Sequence, residues 1–216
     1  ERPVLLLLDL SHSLYFGSSL MLQSVQAAHL ATTLGWSAIL HGDRLGALIA
    51  TEEEHIELKP RSRQQGILQV ISAIKKLHEN QLRNIAEQEP EPDHLAKACQ
   101  RLRRLAKPGS LIWIISDGSH FTPGCLAALS DLKRHCDMGA FLVTDPLRQG
   151  QLSLPKHFQL PVREGSKELI IDRNSYEQWL ANQQNLQNQF IEMMQKLNVE
   201  TRIIDAGQRL NQQLGT

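Results

Sequence analysis

Three cysteines in a chain of 216 residues, Cys99, Cys125 and Cys136, are too few and too irregularly spaced for a disulfide framework. No Cys-x-x-Cys pair occurs, which removes the usual structural zinc sites. A reducing, cytoplasmic setting is the simplest expectation. An excess of one charge is lacking too: 23 Lys+Arg balance 23 Asp+Glu. That balance argues against a strongly basic nucleic-acid face and against an acidic tail. No apolar run approaches the ~18–20 residues of a membrane span, and no signal peptide is visible. The chain has no Gly-x-Ser-x-Gly elbow, no phosphate-cradling glycine loop with a lysine, and no His-Glu-x-x-His. Serine hydrolases, nucleotide-loop ATPases and zinc proteases therefore have no foothold.

What is present is a core: 41% of residues are hydrophobic, too many for a disordered chain. Val4 to Leu8 is aliphatic throughout and too short for a helix, as a strand buried on both faces should be. Leu111 to Ile115 and Met138 to Val143 repeat the pattern. Between them lie helical spacings. A long helix is expected from a Ser18 or Ser19 cap to about Leu40, docking through Val25, Ala28, Thr32, Gly35 and Trp36. Others are expected over Gly66–His78, from an Asp93 cap to Ala106, over Pro123–His135, and from a Ser175 cap to Leu197. Leu45–Ala50 and Ile56–Lys59 suggest a hairpin around Thr51–His55, its edge strand closed by Pro60. Glu87–Pro92 is an acidic loop. Residues 147–174 suggest loop and one short strand, Glu168–Ile171. Val199–Ile204 is a last strand and Gln208–Leu214 a short helix. Aliphatic strands alternating with helices predict an α/β fold, a doubly wound, mostly parallel sheet with helices on both faces.

Two of the core strands end in polar loops. Asp9-Leu10-Ser11-His12-Ser13 follows the first, and Ser116-Asp117-Gly118-Ser119-His120 follows the second. In open α/β sheets this edge is where ligands bind. Asp9, Ser11, Ser13 and Asp117 form a set of hard oxygens suited to Mg²⁺, or to Mn²⁺ or Ca²⁺ in its place. The competing reading is that Ser11 and Ser13 only satisfy backbone groups at a helix entrance. His12 and His120 are expected at the surface. Arg101, Arg103 and Arg104 are expected on a solvated helix face, and Cys99 in the core.

Asp9-x-Ser11-x-Ser13 with Ser116-Asp117-Gly118, in this βα order, resembles the metal-ion-dependent adhesion site of von Willebrand factor type A domains. Glu1 to Asp9, Phe16-Gly17, Gly42-Asp43-Arg44-Leu45-Gly46, Pro108-Gly109-Ser110-Leu111 and Asp145-Pro146-Leu147 are similar to the bacterial domain-of-unknown-function fifty-eight family, over roughly residues 1–150. The resemblance implies one von Willebrand type A-like domain over 1–216, the C-terminal part of a longer protein that often carries an upstream membrane anchor. It also implies a MoxR-type AAA+ ATPase as partner, in a chaperone-like or assembly role. One position departs from the adhesion-site pattern: Asp93 falls near the place of a threonine ligand. It either caps a helix or fills the ion's open position. Two other readings stay open: a Mg²⁺-dependent phosphate-ester hydrolase assisted by His120, and a metal-free scaffold with a vestigial site.

Overall fold

The computed structural model describes residues 1–84, 93–164 and 167–214, so the expected Glu87–Pro92 loop lies outside the described residues. Six strands form the main sheet: β1 (Pro3–Asp9), β2 (Arg44–Ala50), β3 (His55–Arg61), β4 (Leu111–Ser116), β5 (Asp137–Thr144) and β8 (Thr201–Asp205). They lie in the order β3-β2-β1-β4-β5-β8. All neighbours are parallel except β2 and β3, the expected hairpin. Pro60 sits within β3 rather than ending it, tolerated because β3 is an edge strand.

Alternation along β1 sends its side chains to two cores. Val4, Leu6 and Leu8 pack with α1 (Gln23–Leu40) and α2 (Arg63–Asn84). Leu5 and Leu7 pack with α3 (His94–Leu105), α4 (Pro123–Lys133) and α5 (Arg173–Lys196). On α2, Ile67, Val70, Ile74 and Leu77 are buried and Ile71 is half-buried; on α3, Leu95, Cys99, Leu102 and Leu105 are buried. Among the described residues no helix is long and apolar enough to cross a membrane.

Four local expectations are corrected. Neither Ser18 nor Ser19 caps α1, because the Asp145 carboxylate accepts hydrogen bonds from the Ser18 backbone N–H and hydroxyl, and the helix starts only at Gln23. The docking face of α1 is rotated accordingly. Ala27, Leu30, Ala31 and Ala38 are buried; of the expected face, Gly35 is buried as expected, whereas Val25, Ala28, Thr32 and Trp36 are half-buried. On α5 the cap is Asp172, which accepts from the Ser175 N–H while Ser175 returns a bond to the Asp172 N–H, a capping box. A strand absent from the expectations, β6 (Gln159–Glu164), pairs antiparallel with β7 (Lys167–Asp172) as a separate hairpin. Leu147, Ile171 and Tyr176 form a small core with Phe16, Phe158 and Trp179 beside the sheet's upper edge.

Gly46 explains a break in the β2 aliphatic pattern. A Cβ there would lie 2.5 Å from the Leu58 carbonyl oxygen and 2.8 Å from the Pro60 nitrogen, where the β2–β3 register shifts. Backbone atoms on both sides leave no room to relax. Gly46→Ala is therefore expected to lower stability by about 1–3 kcal/mol, read from urea denaturation.

Candidate functional site

The chain leaves β1 towards β2 on one side and leaves β4 towards β5 on the other. The gap between the tips of β1 and β4 is thus the point where the winding reverses. Register Leu8↔Ile115 brings the two polar loops together there. Asp9 is 1% exposed. Its Oδ1 accepts from the Ser11 N–H at 2.9 Å and from the Ser11 hydroxyl, and its Oδ2 accepts from the Ser116 hydroxyl at 2.7 Å. Burial, joined by the like charge of Asp117, raises the Asp9 pKa above the usual carboxylate range, while His120, His94 and the Ser11 hydroxyl act the other way.

Asp117 is equally buried. Ser119 donates to it twice, through its N–H to Oδ1 and its hydroxyl to Oδ2, both at 3.0 Å. A turn at Gly118, with φ +83°, lets the chain double back. The remaining partner is Arg148, from the loop after β5. Its Nη1 donates to Asp117 Oδ2 at 3.0 Å and its Nη2 to the Ser13 carbonyl at 3.0 Å. The guanidinium lies 4.6 Å from the Phe16 ring centroid. Burial pulls the Arg148 pKa below its ordinary value, opposed by Asp117. The Ser13 hydroxyl oxygen is buried with no hydrogen-bond partner.

A third carboxylate, Glu52 at the β2–β3 turn, is buried beside this pair. Its Oε1 accepts from the His12 N–H at 2.8 Å and its Oε2 from the Gln81 amide at 2.8 Å. The His12 ring comes within 3.0 Å of Glu52, and His120 within 3.8 Å. Both histidines were expected at the surface, and both are instead half-buried. Burial lowers the His12 pKa, against the pull of Glu52. His94, at the start of α3, lies 2.7 Å through Nε2 from the Ser11 hydroxyl, its ring 5.0 Å from that of His120.

The sequence-predicted residues thus separate. Asp9, Ser11, Ser13 and Asp117 line one edge. Asp93 stands at the N-cap position of α3, exposed and with φ +68°, and its side chain makes no capping hydrogen bond. Its neighbour His94 is the residue that turns inward. Glu52, His94 and Arg148 escaped sequence reasoning. Arg148 directly follows Asp145-Pro146-Leu147 and His94 directly follows Asp93, so both stand beside residues the sequence marks. Among the described residues no three His, Cys, Asp or Glu side chains are grouped to hold a metal ion, so an ion at this edge depends on hydroxyl ligands.

A family model described as Protein of unknown function DUF58 matches residues 1–184. No curated protein matches in sequence. Among solved structures, BatB from Bacteroides thetaiotaomicron is similar, with 14% identity, TM-score 0.57, and 95% of this chain and 91% of that one covered. Manganese-loaded TRAP protein of Plasmodium vivax matches with 15% identity and TM-score 0.39, covering 65% of this chain and 56% of that one. Proximal thread matrix protein 1 of the mussel byssus matches with 12% identity and TM-score 0.44, covering 67% and 38%. The BatB likeness shows the fold, a mostly parallel sheet with helices on both faces.

Glu52 holds donors from two other segments in a buried place. Glu52→Ala would strand the His12 N–H and the Gln81 amide, and is expected to cost about 2–4 kcal/mol in urea denaturation. Glu52→Gln, which keeps an acceptor, should cost less.

Proposed function

The chain belongs to the family described as Protein of unknown function DUF58, and from that premise we propose that it is a protein-interaction module docking an acidic partner group at the Asp9–Asp117 edge through Mg²⁺, for which Mn²⁺ or Ca²⁺ can substitute. The observation that carries this reading is the buried Ser13 hydroxyl without a partner, on the same edge as two buried, like-charged carboxylates. A buried polar atom left unpaired is costly, and a hard cation would satisfy it. Asp9, Ser11, Ser13 and Asp117 supply the oxygens. When bound, the ion provides a positive charge with an open position for a partner's carboxylate.

The chain's own groups do the rest. Ser116 and the Ser11 N–H fix the Asp9 carboxylate. Ser119 fixes Asp117, and His94 orients the Ser11 hydroxyl. Asp93, exposed at the rim, contributes negative charge outside the ligand set in this reading. The resemblance to MoxR-associated proteins makes a MoxR-type AAA+ ATPase the proposed partner, in a chaperone-like or assembly role.

Purified MoxR-type ATPase, tested for binding in Mg²⁺ and in chelator, checks the proposal. Binding is expected to vanish in chelator and to weaken at least roughly tenfold in Asp9→Asn, whose melting temperature is followed alongside. Binding that survives both would refute the metal bridge. Hydrolysis of a generic phosphate ester that disappears in Asp9→Asn would favour the hydrolase reading instead.

A further inference from the structure

We propose that Arg148 is a built-in cation that competes with the divalent ion for Asp117, so that the metal-free site is closed by its own guanidinium. The inference rests on the metal reading above and adds how that site is regulated.

Three observations carry it. First, Arg148 occupies one carboxylate proposed for the ion and reaches the backbone of a second proposed ligand residue. Its Nη1 bonds Asp117 Oδ2 and its Nη2 the carbonyl of Ser13, the residue whose hydroxyl is a proposed ligand. The Asp117 side chain is 0% exposed and that of Arg148 9%, so the pair is shielded from solvent and only weakly screened. Second, the backbone bearing Arg148 is fixed from both sides. Asp145 accepts from the Ser18 N–H at 2.8 Å and the Leu147 N–H at 2.9 Å, and the Leu147 carbonyl accepts from the Tyr176 hydroxyl at 2.6 Å. The guanidinium is thereby delivered to Asp117 by a rigid turn, while the long side chain remains the movable part. Third, Asp117 Oδ2 already takes two donors, Arg148 and Ser119. A divalent ion on that oxygen meets a positive charge at contact distance, and at low effective dielectric the two repel strongly. Metal entry and the Arg148–Asp117 pair therefore oppose one another.

The consequence is a site with two charge states. With Arg148 inward, Asp117 is neutralised and the loop carrying Ser11 and Ser13 is tied to the loop after β5. With a divalent ion bound, Arg148 gives up Asp117, and both the tie and the local charge change together. A partner's carboxylate then meets a cation only in the second state.

Titration with Mn²⁺, followed by calorimetry, tests this on the wild-type chain, Arg148→Met and Arg148→Lys. Arg148→Met is expected to bind Mn²⁺ at least roughly tenfold more tightly than wild type. Arg148→Lys, which keeps the charge, should stay close to wild type. Without metal, Arg148→Met should melt roughly 5–10 °C lower, because Asp117 loses its buried partner, and saturating Mn²⁺ should recover part of that loss. Should Arg148→Met fail to fold, Arg148→Gln carries the same comparison. Equal, measurable Mn²⁺ affinity in wild type and the neutral variant overturns the competition alone. No Mn²⁺ binding in any of the chains overturns the metal reading and the competition with it.

Discussion

The parallel pairing of β1 with β4 is the constraint on which the site rests. With Leu8 set against Ile115, Asp9 and Asp117 emerge side by side where the winding of the sheet reverses. The aliphatic residues enforce the register. β1 is buried on both faces, with Leu5 and Leu7 against α3–α5 and Leu6 and Leu8 against α1 and α2. A slip of one residue would exchange the two faces and turn Asp9 away from His94 and α3. The greasy strands thus do more than fill the core. They hold two charges at a fixed separation.

Holding them there is expensive. A charge taken out of water costs several kcal/mol in a real protein, and two like charges add their repulsion. The chain offsets this with hydrogen bonds to the charged forms, each contributing about 1.5–3 kcal/mol. Asp9 takes bonds from two segments, Ser11 and Ser116. Asp117 takes them from Ser119 and Arg148. The compensation is uneven. Asp117 has a full positive charge against it, whereas Asp9 has dipoles and the nearby His120 and His94, and burial raises the Asp9 pKa. The unmet demand for positive charge therefore centres on Asp9, on the same edge as the unpartnered Ser13 hydroxyl.

The strands and their carboxylate tips were legible because their signals are local. Aliphatic runs such as Val4 to Leu8 mark parallel strands wherever they occur, and Asp9, Ser11, Ser13 and Asp117 follow such runs directly. Glu52, His94 and Arg148 were not legible, because each reaches the site through tertiary placement. Glu52 arrives at the tip of a hairpin whose sequence marks only a turn. His94 and Asp93 are neighbours, and the backbone at Asp93, with φ +68°, decides which of them faces inward. Arg148 owes its direction to Ser18–Asp145 and Tyr176–Leu147, contacts between residues 127 and 29 positions apart. The same long-range capture of Ser18 by Asp145 defeated the cap expected for α1. Helix faces rich in alanine carry a weak period, and α1 was rotated for that reason.

The two edges of the sheet bear their polar groups differently. At the edge where β1 and β4 begin, Arg2 pairs with Asp137 and donates its N–H to Asp43, all on half-buried or exposed residues, and the Ser110 hydroxyl bonds Lys107 in both directions. Every one of these groups is satisfied locally at little cost. At the opposite edge Asp9, Glu52, Asp117, Asp145 and Arg148 are all buried. A fold that needed only stability would distribute such charges or replace them with apolar side chains, since a buried ion pair is often no better than a hydrophobic substitute. Concentrating them on the single rim where the winding reverses sacrifices stability in one place, and sequences depart from locally consistent choices mainly where a site is being built.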